Sequence, residues 1–293
     1  LIGSDGADTI DGGNGNDTIF GGNGADSIHV GIGADRVSGG EGDDTLIATG
    51  DDTLGDSLAG DAGADSILAG GGADTINGGD GADTIEAGNG NDTIIPGAGD
   101  DVLRGGNGID ELNMGAATTD LTVNLGAGTV GGQGNDTLLD RFERISTGSG
   151  ADTILMGVAD TSAGILRVWS NAGNDSIDGS ASSASLALDG GAGNDTIRGG
   201  RGNDTITPGA GNDELRGGAG TDRLNMSAAT ANLTVDLGAG RVVGEGNDTL
   251  LDRFEEVLTG SGADTILMGV ADTSAGLLRV GASAGNDSID GVA

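Results

Sequence analysis

Aspartate recurs every nine residues through long stretches of this chain, and no other feature limits its possible folds so tightly. It falls at Asp8, Asp17, Asp26, Asp35 and Asp44, then at Asp65, Asp74, Asp83, Asp92, Asp101 and Asp110, and again at Asp195, Asp204, Asp213 and Asp222. Isolated copies stand at Asp136, Asp152, Asp175, Asp248, Asp264 and Asp287. Two residues after each of these 21 aspartates is Ile, Leu or Val, and the residue between is Thr or Ser in 16 cases. A glycine-rich turn lies upstream, as in Gly12-Gly13-Asn14-Gly15-Asn16-Asp17.

A strand presents successive side chains to opposite faces, so Thr18-Ile19-Phe20 reads out, in, out and buries one aliphatic residue per repeat. One repeat cannot bury its single Ile alone, but stacked repeats form a continuous aliphatic ladder between two sheets. Nine residues then make half a coil and eighteen a full one. All 21 aliphatic residues are expected to point inward. Aspartates eighteen apart lie on one edge, one rung of about 4.8 Å from each other. Carboxylates that close repel unless a cation sits between them. Calcium suits the place, because it is a hard cation that takes several oxygen ligands, here carboxylates and turn carbonyls. The expected metal ligands are the fifteen aspartates of the three runs, bracketing ions as Asp8/Asp26, Asp17/Asp35, Asp26/Asp44, Asp65/Asp83, Asp74/Asp92, Asp83/Asp101, Asp92/Asp110, Asp195/Asp213 and Asp204/Asp222.

Composition removes most competing classes. Glycine numbers 64 and proline 2, so the chain is neither collagen nor a proline-rich linker. Acidic residues number 47 against 12 basic ones, all arginine, for a formal charge of −35. Only 8 of the acids are glutamate, a bias a generic solvated face would not show. Nucleic acid needs a basic footprint, and an anionic membrane surface repels this charge. Without cysteine there is no disulfide framework and no thiolate zinc site. His29 alone cannot supply a histidine metal cluster; it sits in a variable position and reads as solvated. No apolar run approaches the roughly 18 residues that span a bilayer.

The motif Gly-Gly-x-Gly-x-Asp-x-aliphatic-x resembles the repeats-in-toxin (RTX) family. Gly21-Gly22-Asn23-Gly24-Ala25-Asp26-Ser27-Ile28-His29, Gly78-Gly79-Asp80-Gly81-Ala82-Asp83-Thr84-Ile85-Glu86 and Gly199-Gly200-Arg201-Gly202-Asn203-Asp204-Thr205-Ile206-Thr207 match it at every defined position. The resemblance implies an all-β, right-handed parallel β-roll with calcium in its Gly/Asp-rich turns. It also implies type I secretion from a Gram-negative bacterium.

A longer period overlies the short one. Residues 96–181 align without gaps to 208–293 at an offset of 112, and 66 of 86 positions are identical. The expected organisation is a β-roll block at 1–112, divergent solenoid rungs at 113–189, a second block at 190–225 and divergent rungs at 226–293, with 96–207 and 208–293 as the tandem duplication. The divergent stretches read as wider, largely metal-free rungs, the alternative being small inserted domains. Leu121, Val123 and Leu125 alternate as a strand with one buried face, turned by Gly126-Ala127-Gly128. Phe142 and Phe254 occupy equivalent positions and read as core. Between Asp44 and Asp65 the step is 21, so a bulged turn is expected near Asp51–Asp56.

Adjacent acids such as Asp43-Asp44 and Asp100-Asp101 could mimic a catalytic pair, but the repeat explains them fully. No nucleophile–base constellation is present, so the chain is not read as an enzyme. The Asn-Asp-Thr sequons are by-products of the turn. The expected function is a calcium-dependent extracellular structural segment of a larger bacterial surface protein, a surface-layer lattice or adhesin stalk. The alternative is the calcium-folding and secretion module of an RTX toxin or secreted hydrolase. Calcium is the expected partner, with self-association and a cell-surface polysaccharide left open. The start at Leu1 without a signal-like region reads as a fragment or processed product, and the end at Ala293, part-way through the second 112-residue unit, suggests that a third follows.

Overall fold

In the computed structural model, residues 1–48, 53–157, 166–268 and 279–291 are described. They form strands β1 to β31 joined by turns, with no helix among the described residues. Backbone contacts divide them into two units, Leu1–Ala117 with Ala127–Ser146, and Thr118–Gly126 with Thr147–Ala293.

In the first unit, alternate strands go to opposite sheets. One holds β1 (Thr9–Asp11), β3 (Ser27–His29), β5 (Thr45–Ile47), β7 (Ser66–Gly71), β9 (Thr84–Asn89) and β11 (Val102–Asn107). The other holds β2 (Thr18–Asn23), β4 (Arg36–Glu41), β6 (Ser57–Ala62), β8 (Thr75–Asp80), β10 (Thr93–Ala98) and β12 (Glu111–Asn113). All of these pair in parallel, and the register aligns the aliphatic residues: Ile19, Val37, Leu58, Ile76, Ile94 and Leu112 form one row. Ile10, Ile28, Leu46, Ile67, Ile85 and Leu103 form the facing row. This is the β-solenoid that the nine-residue beat demands.

The core is narrow. Two residues beyond most of the large aliphatics of this unit, the next inward position holds a small one, such as Gly21 after Ile19, Ala69 after Ile67 or Ala87 after Ile85, with exceptions such as Val30 after Ile28 and Pro96 after Ile94. Beyond Ile10 the large rows are buried, as at Ile28, Ile76, Ile94 and Leu103. The expectation of 21 inward aliphatics fails at two positions. Ile10 is half-buried and Ile289 is 52% exposed. They lie in β1 and in β31 (Ser288–Asp290), the outermost rungs of their units among the described residues, with no further rung to cover them.

The second unit stacks in the same way, with Ile154, Ile177, Ile197, Leu215 and Leu250 in one parallel row. Leu188, Ile206, Leu224 and Val257 form the other. Its divergent segment adds a meander of β25 (Thr234–Asp236), β26 (Arg241–Val243) and β27 (Asn247–Leu250). β26 runs antiparallel to both neighbours, while β27 and β25 each pair in parallel with a solenoid strand, β23 (Glu214–Arg216) and β29 (Thr265–Leu267). An antiparallel strand is thus spliced into a parallel sheet. Phe142 and Phe254 are core, at 0% and 1% exposure.

The expected bulge falls partly on residues 49–52, outside those described. Its consequence is clear beyond them: β4 pairs with β6 in register across the longer step, Val37 opposite Leu58. One non-glycine residue of this region, Asp61, takes φ of +74° where the neighbouring rungs have Gly40 and Gly79. Aspartate tolerates that conformation better than most residues, and the Ser38 hydroxyl donates to its carboxylate.

Candidate metal centre

Each periodic aspartate ends a turn and begins a strand, and stacking threads these residues into two columns per unit. Within a column the main-chain N–H of one aspartate donates to Oδ1 of the aspartate one rung on. The distance is 2.7 Å from Asp26 to Asp44, 2.9 Å from Asp65 to Asp83 and 2.8 Å from Asp195 to Asp213. All nine pairs read from the sequence are joined in this way. The carboxylates therefore do not simply face one another. One oxygen of each is committed to the backbone of the rung before.

The other oxygen is not. At Asp26, Asp35, Asp44, Asp65, Asp83, Asp92, Asp101, Asp110, Asp195 and Asp213, Oδ2 is buried with no hydrogen-bond partner. Asp8 and Asp204 differ: their Oδ2 atoms accept from the main-chain N–H of Ser4 (2.7 Å) and Gly200 (2.5 Å). Leaving a buried carboxylate oxygen unpaired is costly unless a cation or a proton meets it.

The surroundings of that oxygen are acceptors too. A methyl group added at Gly21 would collide with the Asp26 carboxylate and the Gly39 carbonyl; at Gly78 it would meet the Asp83 carboxylate and the Pro96 carbonyl. This explains the glycine five places before Asp26, Asp44, Asp65, Asp83, Asp195 and Asp204, and it sets carboxylate and peptide oxygens around one point. Among the described residues no three His, Cys, Asp or Glu side chains gather into a cluster. Carboxylates from successive rungs and main-chain carbonyls would therefore make up the donor set. An all-oxygen set of this kind fits calcium.

Burial raises the carboxyl pKa values from the ordinary 3.8, and neighbouring carboxylates add to the rise. Asp101 and Asp195 are pushed up to about 7, and Asp65, Asp92 and Asp222 to about 6. The N–H donated to each carboxylate opposes the shift without cancelling it.

A second ladder runs with opposite polarity. The residue just before the aspartate accepts, through its side chain, from the N–H one rung on: Asn16 from Ala34 (3.0 Å), Asn91 from Ile109 (2.9 Å), Asn194 from Asn212 (2.8 Å). The recurring Asn-Asp pair thus has a structural cause, and the sequons follow from it.

Several column members were not singled out in the sequence. Asp56 is 5% exposed, accepts from Asp35 N–H and donates its own N–H to Asp74, both at 2.8 Å. Counting eighteen back from Asp74 would have found it. Glu143 and Glu255 close the columns that end in Asp110 and Asp222, accepting their N–H groups at 3.0 and 2.9 Å through Oε2. His29 is exposed.

Comparison with known families matches the chain to the RTX calcium-binding nonapeptide repeat (4 copies) over residues 1–28, 29–55, 49–85, 77–112, 167–183 and 188–225, more than half its length. No curated protein matches it.

Proposed function

The chain belongs to the RTX calcium-binding nonapeptide repeat family, and on that premise we propose that it is a calcium-dependent structural segment of a larger extracellular bacterial surface protein. The observation that carries this reading is the row of buried Oδ2 atoms without partners, facing peptide carbonyls in stacked turns. With its carboxylate ionised, such a turn is complete only with a cation, and cytosolic calcium is too scarce for weak sites of this design. Extracellular modules bind at roughly 10⁻⁴–10⁻³ M.

The duplication supports a structural role over a catalytic one. The strands of the first copy, β13 (Thr122–Asn124) to β19 (Ser176–Asp178), recur as β25 to β31 at the same offset of 112. Repetition at that length multiplies identical rungs, which suits a lattice arm or stalk. The fifteen aspartates of the three runs supply the carboxylate ligands, and secretion by a type I system would deliver the chain to calcium.

Immunogold labelling of intact source cells tests the location. Label on the outer surface, as a lattice or as fibres, is the expected result. Label confined to the cytoplasm would overturn the proposal.

A further inference from the structure

Asparagine stands directly before glycine at five places: Asn14, Asn23, Asn77, Asn89 and Asn107. We propose that Asn107 is a site of spontaneous covalent modification, losing its side-chain amide to become aspartate or isoaspartate, while the fold protects the other four.

The chemistry needs a main-chain nitrogen that is free to react. The nitrogen of the following glycine gives up its proton and attacks Cγ of the asparagine. An N–Cγ bond forms, the Cγ–Nδ2 bond breaks, and ammonia leaves with the proton. Water, the only co-reactant, then opens the cyclic imide at either carbonyl. One opening gives aspartate, and the other lengthens the main chain by a methylene. A glycine N–H held in a hydrogen bond of the fold is hindered both in losing its proton and in moving onto Cγ.

Four of the five glycines are held. Gly15 N–H donates to the Ile32 carbonyl at 2.8 Å, that of Gly24 to Glu41 at 2.6 Å and that of Gly90 to Asn107 at 2.8 Å. Gly78 lies inside β8, whose backbone is pinned by parallel pairing with β6 on one side and β10 on the other. Among the described residues the Gly108 N–H has no hydrogen-bond partner, and Asn107 and Gly108 are both exposed.

The difference comes from the coil that follows Asp110. In the regular rungs the turn glycine donates to a carbonyl of the next rung, as Gly42 does to Ala62, Gly63 to Asp80 and Gly81 to Ala98. Beyond β11 the next parallel strand is β15 (Asn135–Leu138), and the chain reaches it by a longer path. The N–H groups of Gly105 and Gly106 turn instead to the Asp140 carboxylate, at 3.0 and 3.2 Å. Gly108 is left with no partner from that rung.

The turn itself dictates the reactive pair. Gly108 has φ of +142°, and a Cβ there would collide with the Gly90 carbonyl one rung back. Position 107 is free to vary, since the second copy has Ala219 before Gly220. Asn107 Nδ2 donates to Asn89 Oδ1 at 2.8 Å, in a groove that Arg104 and Asp140 also line. Loss of the amide removes that donor, sets two oxygens against each other and adds a second carboxylate beside Asp140.

The full 293-residue chain is incubated in calcium at mildly alkaline pH, sampled over time and digested with trypsin. Cleavage after Arg36, Arg104 and Arg141 puts Asn14 with Asn23, Asn77 with Asn89, and Asn107 into three separate peptides. Fragmentation mass spectrometry reads the conversion at each asparagine, and labelling by isoaspartyl methyltransferase reports the isoaspartate. Asn107 is expected to convert at least about tenfold faster than any of the other four, the factor that an opening free energy of only about 1.4 kcal/mol imposes on the protected turns. In urea that lead should collapse, because glycine follows all five and no fold remains to protect any of them. Equal rates in the folded chain, or faster conversion at another of the five, would overturn the inference. A lead of Asn107 that persists in urea would overturn it as well, since the fold would not be its cause.

Discussion

The N–H of Asp83 donates to Oδ1 of Asp101 at 2.8 Å, and Oδ2 of Asp101 is left buried with no partner. The two oxygens of one carboxylate therefore have different tasks. Oδ1 takes part in the stacking of rungs, and Oδ2 supplies the charge that calls for a cation.

Separating those tasks gives the first prediction. Asp83→Asn keeps the acceptor for Asp65 N–H (2.9 Å) and replaces the charged oxygen with a neutral amide. In saturating calcium the variant should be destabilised by about 1–3 kcal/mol, the usual cost of a lost charge-assisted contact in a buried site. Urea midpoints in calcium measure it. A variant as stable as the parent would show that Oδ2 holds no ion.

Without metal, pH should act in the opposite sense from most acidic proteins. Burial holds Asp101, Asp195 and Asp248 up to about 7 and Asp65, Asp92, Asp136 and Asp222 up to about 6, against 3.8 in the unfolded chain. Between those values the folded state binds more protons than the unfolded one, so stability falls as pH rises. The proton's contribution is complete below about pH 4 and gone above about pH 7. In chelator, β-structure by circular dichroism should thus grow as pH drops from 8 to 4.5. In calcium the trend should reverse, since the ion requires ionised carboxylates. A chelated chain that gains structure with rising pH would contradict the burial seen at these sites.

Core substitutions should separate inner rungs from end rungs. Ile76 and Ile206 are fully buried, and Ile76→Asp or Ile206→Asp places an unpaired charge in the aliphatic row, costing roughly 3–5 kcal/mol. Ile289, 52% exposed, should tolerate the same change within about 0.5 kcal/mol. Hydrogen exchange, read strand by strand, distinguishes local melting near Ile76 from no effect near Ile289.

The parts legible in the sequence were those set by local chemistry repeated many times. Asp26-Ser27-Ile28 and its copies encode turn, strand and inward residue within three positions, so the coil and its columns follow from spacing alone. Asp56 escaped because three added residues shift the beat, although its step to Asp74 is a regular eighteen. Glu143 and Glu255 escaped for a different reason. They take the aspartate's place at a step of 33 residues, and only stacking in three dimensions brings them there. The antiparallel β26 left a fainter signal, since Gly238, Gly240, Gly244 and Gly246 bracket Arg241–Val243 with turns on both sides.

The last prediction is that calcium and folding are a single transition. The chain carries a formal charge of −35, and its columns stack carboxylates one rung apart, with one oxygen unpaired at residues such as Asp26, Asp65, Asp101 and Asp195. In the regular rungs most inward positions beyond the large aliphatic row hold small residues, such as Gly21, Ala69 and Ala87, so hydrophobic burial there is small against the entropy of ordering so many glycines. At neutral pH the metal-free chain should therefore be expanded. Binding at one turn orders two rungs and presents the next carboxylate, so each ion favours its neighbours and free energy of binding becomes free energy of folding. Circular dichroism and small-angle scattering across a calcium titration should show one cooperative rise in β-structure with a fall in radius, centred near 10⁻⁴–10⁻³ M. A compact β-rich species in excess chelator at pH 8 would break the coupling, even if calcium were still bound when added.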